Sequence, residues 1–314
     1  MGRRTLLSLA AFAAAIGVFV VVGLSSGHKA LTAAVSPNWG LAAISLLVAA
    51  AVQPFRALAW STTLRSPVGF RALYCSSSVG SLLDTLLPGR LGEASKAAVL
   101  RVAAADGWPG FPRAAGSLLC SHMLEACAFT VTGAVGAIFL PLPAWARIGL
   151  AAGCGLSLGA ILAAGTLHRK IGHRLPAAVD RFFAAAWAPG PVLAKAGAIL
   201  LATWVVRLFA IMLMLHSLGI RAGLGVTLVY MIVTGLANAA PLLPGNAGVY
   251  QGAAIGALAL AGVSGSRAAA VSLVAPVYAT IGTGIAAAVG LALYGRRVLE
   301  VARAALLRPE AAPA

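Results

Sequence analysis

Acidic residues are what this chain has least of: seven Asp and Glu among 314 residues, against 23 Lys and Arg, within a charged fraction of only 10%. Soluble domains carry roughly 25% charged residues, so the composition excludes an ordinary soluble globule. No two acids lie within eight residues of each other, which leaves metal-dependent sugar transfer without its clustered carboxylates. GxxxxGK[ST] and HExxH are both missing, so ATP hydrolysis by a phosphate-cradling loop and zinc peptidase chemistry are set aside. The four cysteines (Cys75, Cys120, Cys127, Cys154) form no CxxC pair and all fall in apolar segments, where free cysteine behaves as a small buried hydrophobe. No metal and no cofactor is expected, and no catalytic residue suggests itself; the chain reads as a non-enzyme.

What is present is apolar: 61% hydrophobic residues and a mean hydropathy of +0.95. Runs long enough to cross a ~30 Å hydrocarbon layer appear at about 5–24, 39–60, 114–140, 145–167, 195–218 and 268–294. The first follows Met1-Gly2-Arg3-Arg4, and at about 20 residues it exceeds the apolar core of a cleaved signal; an uncleaved span is expected. A formal charge of +16 reads as a topology and headgroup signal rather than as nucleic-acid binding, because the bases sit in short loops between apolar runs. With the N-terminus inside, the inner segments hold 17 Lys and Arg and the outer ones four. Both termini are therefore expected in the cytoplasm, and anionic phospholipids at that face are expected contacts.

Two further apolar regions, about 70–102 and 225–263, are interrupted by one repeated phrase: Leu86-Leu87-Pro88-Gly89-Arg90-Leu91-Gly92 and Leu242-Leu243-Pro244-Gly245-Asn246-Ala247-Gly248. A helix does not run through Pro-Gly unbroken, and broken backbone in a bilayer is tolerated only where protein or a wet cavity satisfies it. Paired breaks in corresponding halves are a sequence pointer to a transporter-type site. The copies lie 156 residues apart, and shifting by that interval also places span 39–60 on 195–216 and 114–140 on 270–296. The expectation is an all-α polytopic bundle of six full spans plus two broken or re-entrant elements, in one transmembrane domain of two halves, about 1–140 and 141–314. Three spans per half make the halves mutually inverted. The polar stretch 168–195 is expected to form an amphipathic interfacial helix.

Candidate residues gather at the breaks. Asp84 precedes the first, and Arg90, Glu93 and Lys96 follow it, where a new helix is expected to start near Leu91–Glu93. Its free N–H groups and positive dipole end beside Arg90 and Lys96 suit a phosphate or carboxylate. The competing reading is a cytoplasmic turn in which Glu93 caps a helix and the bases meet headgroups. Arg56, Glu125 and Arg207 lie within spans, where a central charge costs ~2.5–3.5 kcal/mol even on the gentler insertion scale. Arg56, near its span's end, has snorkelling as an alternative. Glu125, one turn from His122, is a candidate partner of Arg207 or half of a proton relay. Pro88, Gly89, Gly92, Pro244, Gly245 and Gly248 are the candidate gating positions, and Asn238, Asn246 and Gln251 the polar groups of the second break.

On Leu87-Pro88-Gly89-Arg90-Leu91-Gly92-Glu93 with Lys96, on Pro244-Gly245-Asn246-Ala247-Gly248-Val249, and on Gly262-Val263 before an Ala-rich helix from Arg267, the chain resembles the flippase-like lysylphosphatidylglycerol synthase transmembrane-region family along its whole length. It departs from that family's pattern at Gln251, where a glutamate is usual, at His122 before Glu125, where an arginine is usual, at Asp84, where asparagine is commoner, and at Lys96, where arginine is commoner. The resemblance implies lipid handling in a bacterial inner membrane. In two-part members this region is associated with translocating aminoacylated phosphatidylglycerol, and a separate soluble domain makes that lipid. Stand-alone relatives are linked to hopanoid or polyprenyl-glycan lipids. The substrate expected here is an amphipathic membrane lipid, with a neighbouring lipid-synthesis enzyme as a candidate partner. A membrane glycosyl- or aminoacyl-transferase and a non-transporting scaffold are the alternatives.

Overall fold

In hydrocarbon every backbone N–H and C=O must be satisfied within the segment, so long apolar runs become helices. The computed structural model describes residues 38–86, 91–104, 107–139, 144–239 and 248–307, and every regular element among them is helical. In order these are α1 (Trp39–Ala50), α2 (Val52–Leu64), α3 (Phe70–Leu86), α4 (Leu91–Ala104), α5 (Phe111–Phe139), α6 (Ala144–Ile171), α7 (Ala177–Ala186), α8 (Gly190–Ser217), α9 (Leu224–Ala239), α10 (Val249–Leu260) and α11 (Gly265–Leu307). The expected span at 5–24 and both Pro-Gly corners, with Pro88, Gly89, Arg90, Pro244, Gly245 and Asn246, lie outside the described residues.

Five stretches are long and apolar enough to cross a membrane: Trp39–Leu64, Phe111–Gly136, Arg147–Ile171, Gly190–Ser217 and Gly265–Leu293. They coincide with five of the six expected runs. The first is interrupted between α1 and α2 at Ala51, where Pro54 supplies no N–H for the Ala50 carbonyl. Pro276 sits inside α11, and Thr280 Oγ1 donates to its carbonyl at 2.9 Å. The polar stretch after residue 167 divides differently from the expected interfacial helix. His168, Arg169 and Lys170 form the last turn of α6, where bases complement the helix dipole, and only Ala177–Ala186 makes a separate α-helix.

The two interrupted regions become helix pairs, α3 with α4 and α9 with α10. Offset by the 156-residue interval, α3 falls on α9, α4 on α10 and α5 on α11 to within a few residues at their starts.

Small residues and polar side chains tie the helices together, since lipid offers no hydrophobic drive between them. A methyl on Gly92 would stand 2.2 Å from the Asp84 backbone nitrogen, and one on Gly80 2.2 Å from Lys96 Cγ, so α3 and α4 meet at close range. Gly290 of α11 approaches Ser78 and Cys75 of α3 in the same way, and Tyr74 donates to the Ala286 carbonyl at 3.1 Å. Ser45 Oγ donates to Ala210 O at 2.8 Å, joining α1 to α8. Trp60 Nε1 donates to Ser117 Oγ at 3.0 Å, joining α2 to α5. Large apolar side chains such as Leu47, Val135, Leu156, Val205 and Ile281 face outward, as a lipid-facing surface requires.

Candidate functional site

Ionisable groups that the sequence scatters over 150 residues meet in one cluster between α2, α4, α5 and α8. Arg56 of α2 donates through Nη2 to Glu125 Oε2 at 2.7 Å and through Nε at 3.2 Å, and its Nη1 reaches Ser81 Oγ of α3 at 3.5 Å. The side chains of this pair are 19% and 13% exposed. On α4, Lys96 Nζ donates to Glu93 Oε1 at 2.6 Å, one turn back. Glu93's other oxygen meets His122 Nε2 of α5. His122 Nδ1 lies 3.9 Å from Glu125 Oε2, so the imidazole stands between the two carboxylates. Arg207 of α8 has no carboxylate within salt-bridge reach among the described residues. Its guanidinium lies 4.6 Å from the centre of the Trp204 ring, whose Nε1–H donates to the Glu125 carbonyl at 3.2 Å.

Local structure explains each placement. Glu93 occupies the first turn of α4, where a negative charge is favoured by the helix dipole. Lys96 is 3% exposed because Gly80 lets α3 press directly on its stem, and Ser76 Oγ donates to its backbone carbonyl. His122 and Glu125 are one turn apart on α5, and Trp204 and Arg207 one turn apart on α8, so each pair shares a face. Snorkelling is not the fate of Arg56: its guanidinium turns inward to Glu125. That carboxylate's partner is thus Arg56, and Arg207 is held through the Trp204 ring instead.

Three cationic side chains (Arg56, Lys96, Arg207) stand with the carboxylates of Glu93 and Glu125, and the Asp84 carboxylate also acts on Arg56 through its charge, so cations and carboxylates are matched in number. A cavity of about 20 Å³ lies among Arg56, Trp60, Ser77, Lys96, His122 and Glu125, room for about one water molecule. The site is therefore closed around its own ions. Chemically the arrangement places carboxylates on the cations, so an anion would bind there only by exchanging with them.

Among the described residues, no three His, Cys, Asp or Glu side chains are grouped to hold a metal ion. The stretch Gly155-Leu156-Ser157-Leu158-Gly159 has the spacing of a nucleophile elbow, but it lies in mid-helix in α6. An elbow needs a strand-to-helix turn to expose its serine, so this match carries no chemistry.

The other candidates lie outside the hydrogen-bonded cluster, although the charge of Asp84 acts on Arg56. Asp84 packs against Gly92 where α3 and α4 close on each other. In the second helix pair Gly248 adopts φ +85° before α10, a left-handed conformation that favours glycine. Its N–H is accepted by Gln251 Oε1 at 2.5 Å, so Gln251 closes the helix start. Asn238 stands in the last turn of α9. In the same helix pair, Tyr230 and Tyr250 share a 2.7 Å hydrogen bond. Sequence reasoning did not single out Trp204 or Gln53, whose Oε1 lies 3.5 Å from Ser77 Oγ and Ser81 Oγ. For Trp204, the available signal was an aromatic one turn before an arginine inside a span.

A bundle of apolar helices with a half-buried ionic cluster between its spans defines a polytopic integral membrane protein. More particularly, the chain belongs to the lysylphosphatidylglycerol synthase transmembrane-region family, whose model matches residues 6–305. No curated protein and no solved structure matches it significantly. Membership ties the chain to a membrane-lipid function.

Proposed function

We propose that the protein passes an amphipathic lipid with an anionic headgroup across the bacterial inner membrane, both termini being cytoplasmic. The observation that carries this reading is the cluster itself: Arg56, Lys96 and Arg207 held with Glu93, His122 and Glu125, half-buried among spans and next to a helix pair that is broken within the apolar region. Burying ions without a working role is expensive, and an apolar replacement of similar volume is often no less stable. In the closed form Glu93 and Glu125 hold the cations. An arriving phosphate displaces them from Lys96 and from Arg56, and the freed carboxylates retain His122 as a shared partner. The cavity must widen from its closed volume for this exchange, and the two mutually inverted halves supply alternating access to it. Without a nucleotide site, transport follows a gradient of the lipid or of an ion.

The test uses purified protein in phosphatidylcholine vesicles carrying headgroup-labelled phosphatidylglycerol, with leaflet exposure read by chemical quenching. Wild type is expected to expose inner-leaflet label roughly tenfold faster than protein-free vesicles, the equivalent of ~1.4 kcal/mol in barrier height. Lys96→Met should fall to the background rate and Lys96→Arg should retain transport. Equal rates for wild type and Lys96→Met would overturn the reading. Product formation from an activated donor would favour a transferase instead, and no transport by any variant a scaffold.

A further inference from the structure

A second group of bases stands at one end of the bundle and shares no lining residue with the ionic cluster. Arg65, Arg113 and Arg181 converge with His168 and Trp187 around a pocket of about 420 Å³, within the ~300–1,000 Å³ range of small-ligand sites. Three of these residues mark the ends of spans: Arg65 caps α2, Arg113 lies in the first turn of α5, and His168 in the last turn of α6. The pocket therefore sits where the apolar helices stop, at headgroup depth.

The pocket is built rather than incidental. Arg65 takes φ +48°, the one left-handed non-glycine residue among those described. From there its Nη2 donates to Ala184 O and Trp187 O, both at 2.9 Å, fixing the end of α7. Arg113 in turn donates to the Arg65 carbonyl at 2.5 Å. A Cβ on Gly116 would fall 2.2 Å from Phe182 O, and one on Gly165 2.3 Å from the Trp187 ring, so α7 and Trp187 are seated directly on the backbones of α5 and α6.

None of the three guanidinium groups forms a salt bridge among the described residues. Asp180, the nearest acid in sequence to Arg181, is engaged by His168 Nδ1 at 2.7 Å. Each guanidinium has five N–H donors, and the carbonyl contacts above use a minority of them. Crowded like charges with unused donors fit a phosphate, which arginine recognises in fork geometry.

We infer that this pocket is a binding site for the phosphate of an anionic phospholipid headgroup, separate from the translocation cluster. A lipid source is favoured over free phosphate by position. Phe111 opens the helix that carries Arg113, Leu167 precedes His168, and both are exposed apolar residues at these span ends, available to acyl chains. The face is also the one to which charge asymmetry assigns the cytoplasmic leaflet, where anionic lipids attract basic pockets.

The experiment is native mass spectrometry of the full chain released from detergent with phosphatidylglycerol or phosphatidylcholine added. Wild type should retain one phosphatidylglycerol in preference to phosphatidylcholine. Arg113→Gln with Arg181→Gln should weaken that retention about thirtyfold, the equivalent of ~2 kcal/mol at ~1 kcal/mol per base. Arg221→Gln, an exposed base in a segment assigned to the other face, should leave it unchanged. Should the double variant unfold, Arg181→Glu alone, on the exposed face of α7, is expected to weaken binding about tenfold, since it exchanges a base for an acid. Unchanged phosphatidylglycerol retention in either folded variant would overturn the site. Equal displacement by millimolar inorganic phosphate would make it a free-phosphate site and overturn the lipid assignment. Loss of transport in the cluster variants does not bear on this outcome, so the two readings fail separately.

Discussion

Neutralising Glu125 isolates the energetics of the cluster. Its carboxylate meets Arg56 at 2.7 Å, with both side chains largely out of solvent, and its backbone carbonyl accepts from the Trp204 that holds Arg207. At that separation the attraction of two unit charges is ~6 kcal/mol for an effective dielectric of about 20, offset by the cost of dehydrating both ions. Removing one partner leaves the other charge buried, and such losses run to about 3–5 kcal/mol. Partial exposure places Glu125→Gln near the lower end, at ~3 kcal/mol. Arg56→Met with Glu125→Gln removes both ions together and should cost less than Glu125→Gln alone, although Arg207 loses a favourable field. Unfolding free energies from SDS titration in mixed micelles would measure all corners of the cycle. A Glu125→Gln cost below ~0.5 kcal/mol, or strictly additive single costs, would refute the claim that this pair is buried and coupled.

Further outcomes follow from close approaches and single contacts. Gly92→Ala places a methyl 2.2 Å from the Asp84 nitrogen and should destabilise by about 1–3 kcal/mol through overpacking, lowering transport with it; the same titration and the vesicle assay check both. Gly116→Val should lift α7 from α5 and speed tryptic cleavage after Arg181, whereas wild-type cleavage kinetics would contradict that packing. Ser45→Ala removes the hydrogen bond to Ala210 O and should cost only ~0.6 kcal/mol, the usual scale for such contacts between membrane helices.

Much of the architecture was legible because apolar length and Pro-Gly interruption are local signals. Five expected runs reappear as the five described spans, the run at 39–60 extending to Leu64 and that at 268–294 continuing into the long α11. The start of α4 at Leu91 falls where the first break predicts a helix. The pairings were not legible. Arg56 and Glu125 are 69 residues apart, and Glu93 and His122 are 29 apart, so no helical periodicity links them. The available clue was arithmetic: in a chain with seven acids, an acid inside a span must answer a base inside another. Two arginines qualified, and only the fold assigns the carboxylate to Arg56 and the tryptophan to Arg207. The packed placement of α7 was hidden for a similar reason, since it depends on Gly116 and Gly165 in other helices.

Lipid carriage requires a headgroup to enter the cluster, and Ser121, which lines the cavity, offers a direct probe. In a background with the four native cysteines replaced by alanine, Ser121→Cys is reconstituted with phosphatidylethanolamine bearing a headgroup maleimide, whose phosphate keeps one negative charge. The expected result is an intact-mass increase of one lipid on the introduced thiol, falling roughly tenfold when Lys96→Met is added, as loss of one charge-assisted contact implies. No adduct on that thiol, under conditions that label a Phe111→Cys control exposed at the end of its span, would contradict lipid carriage.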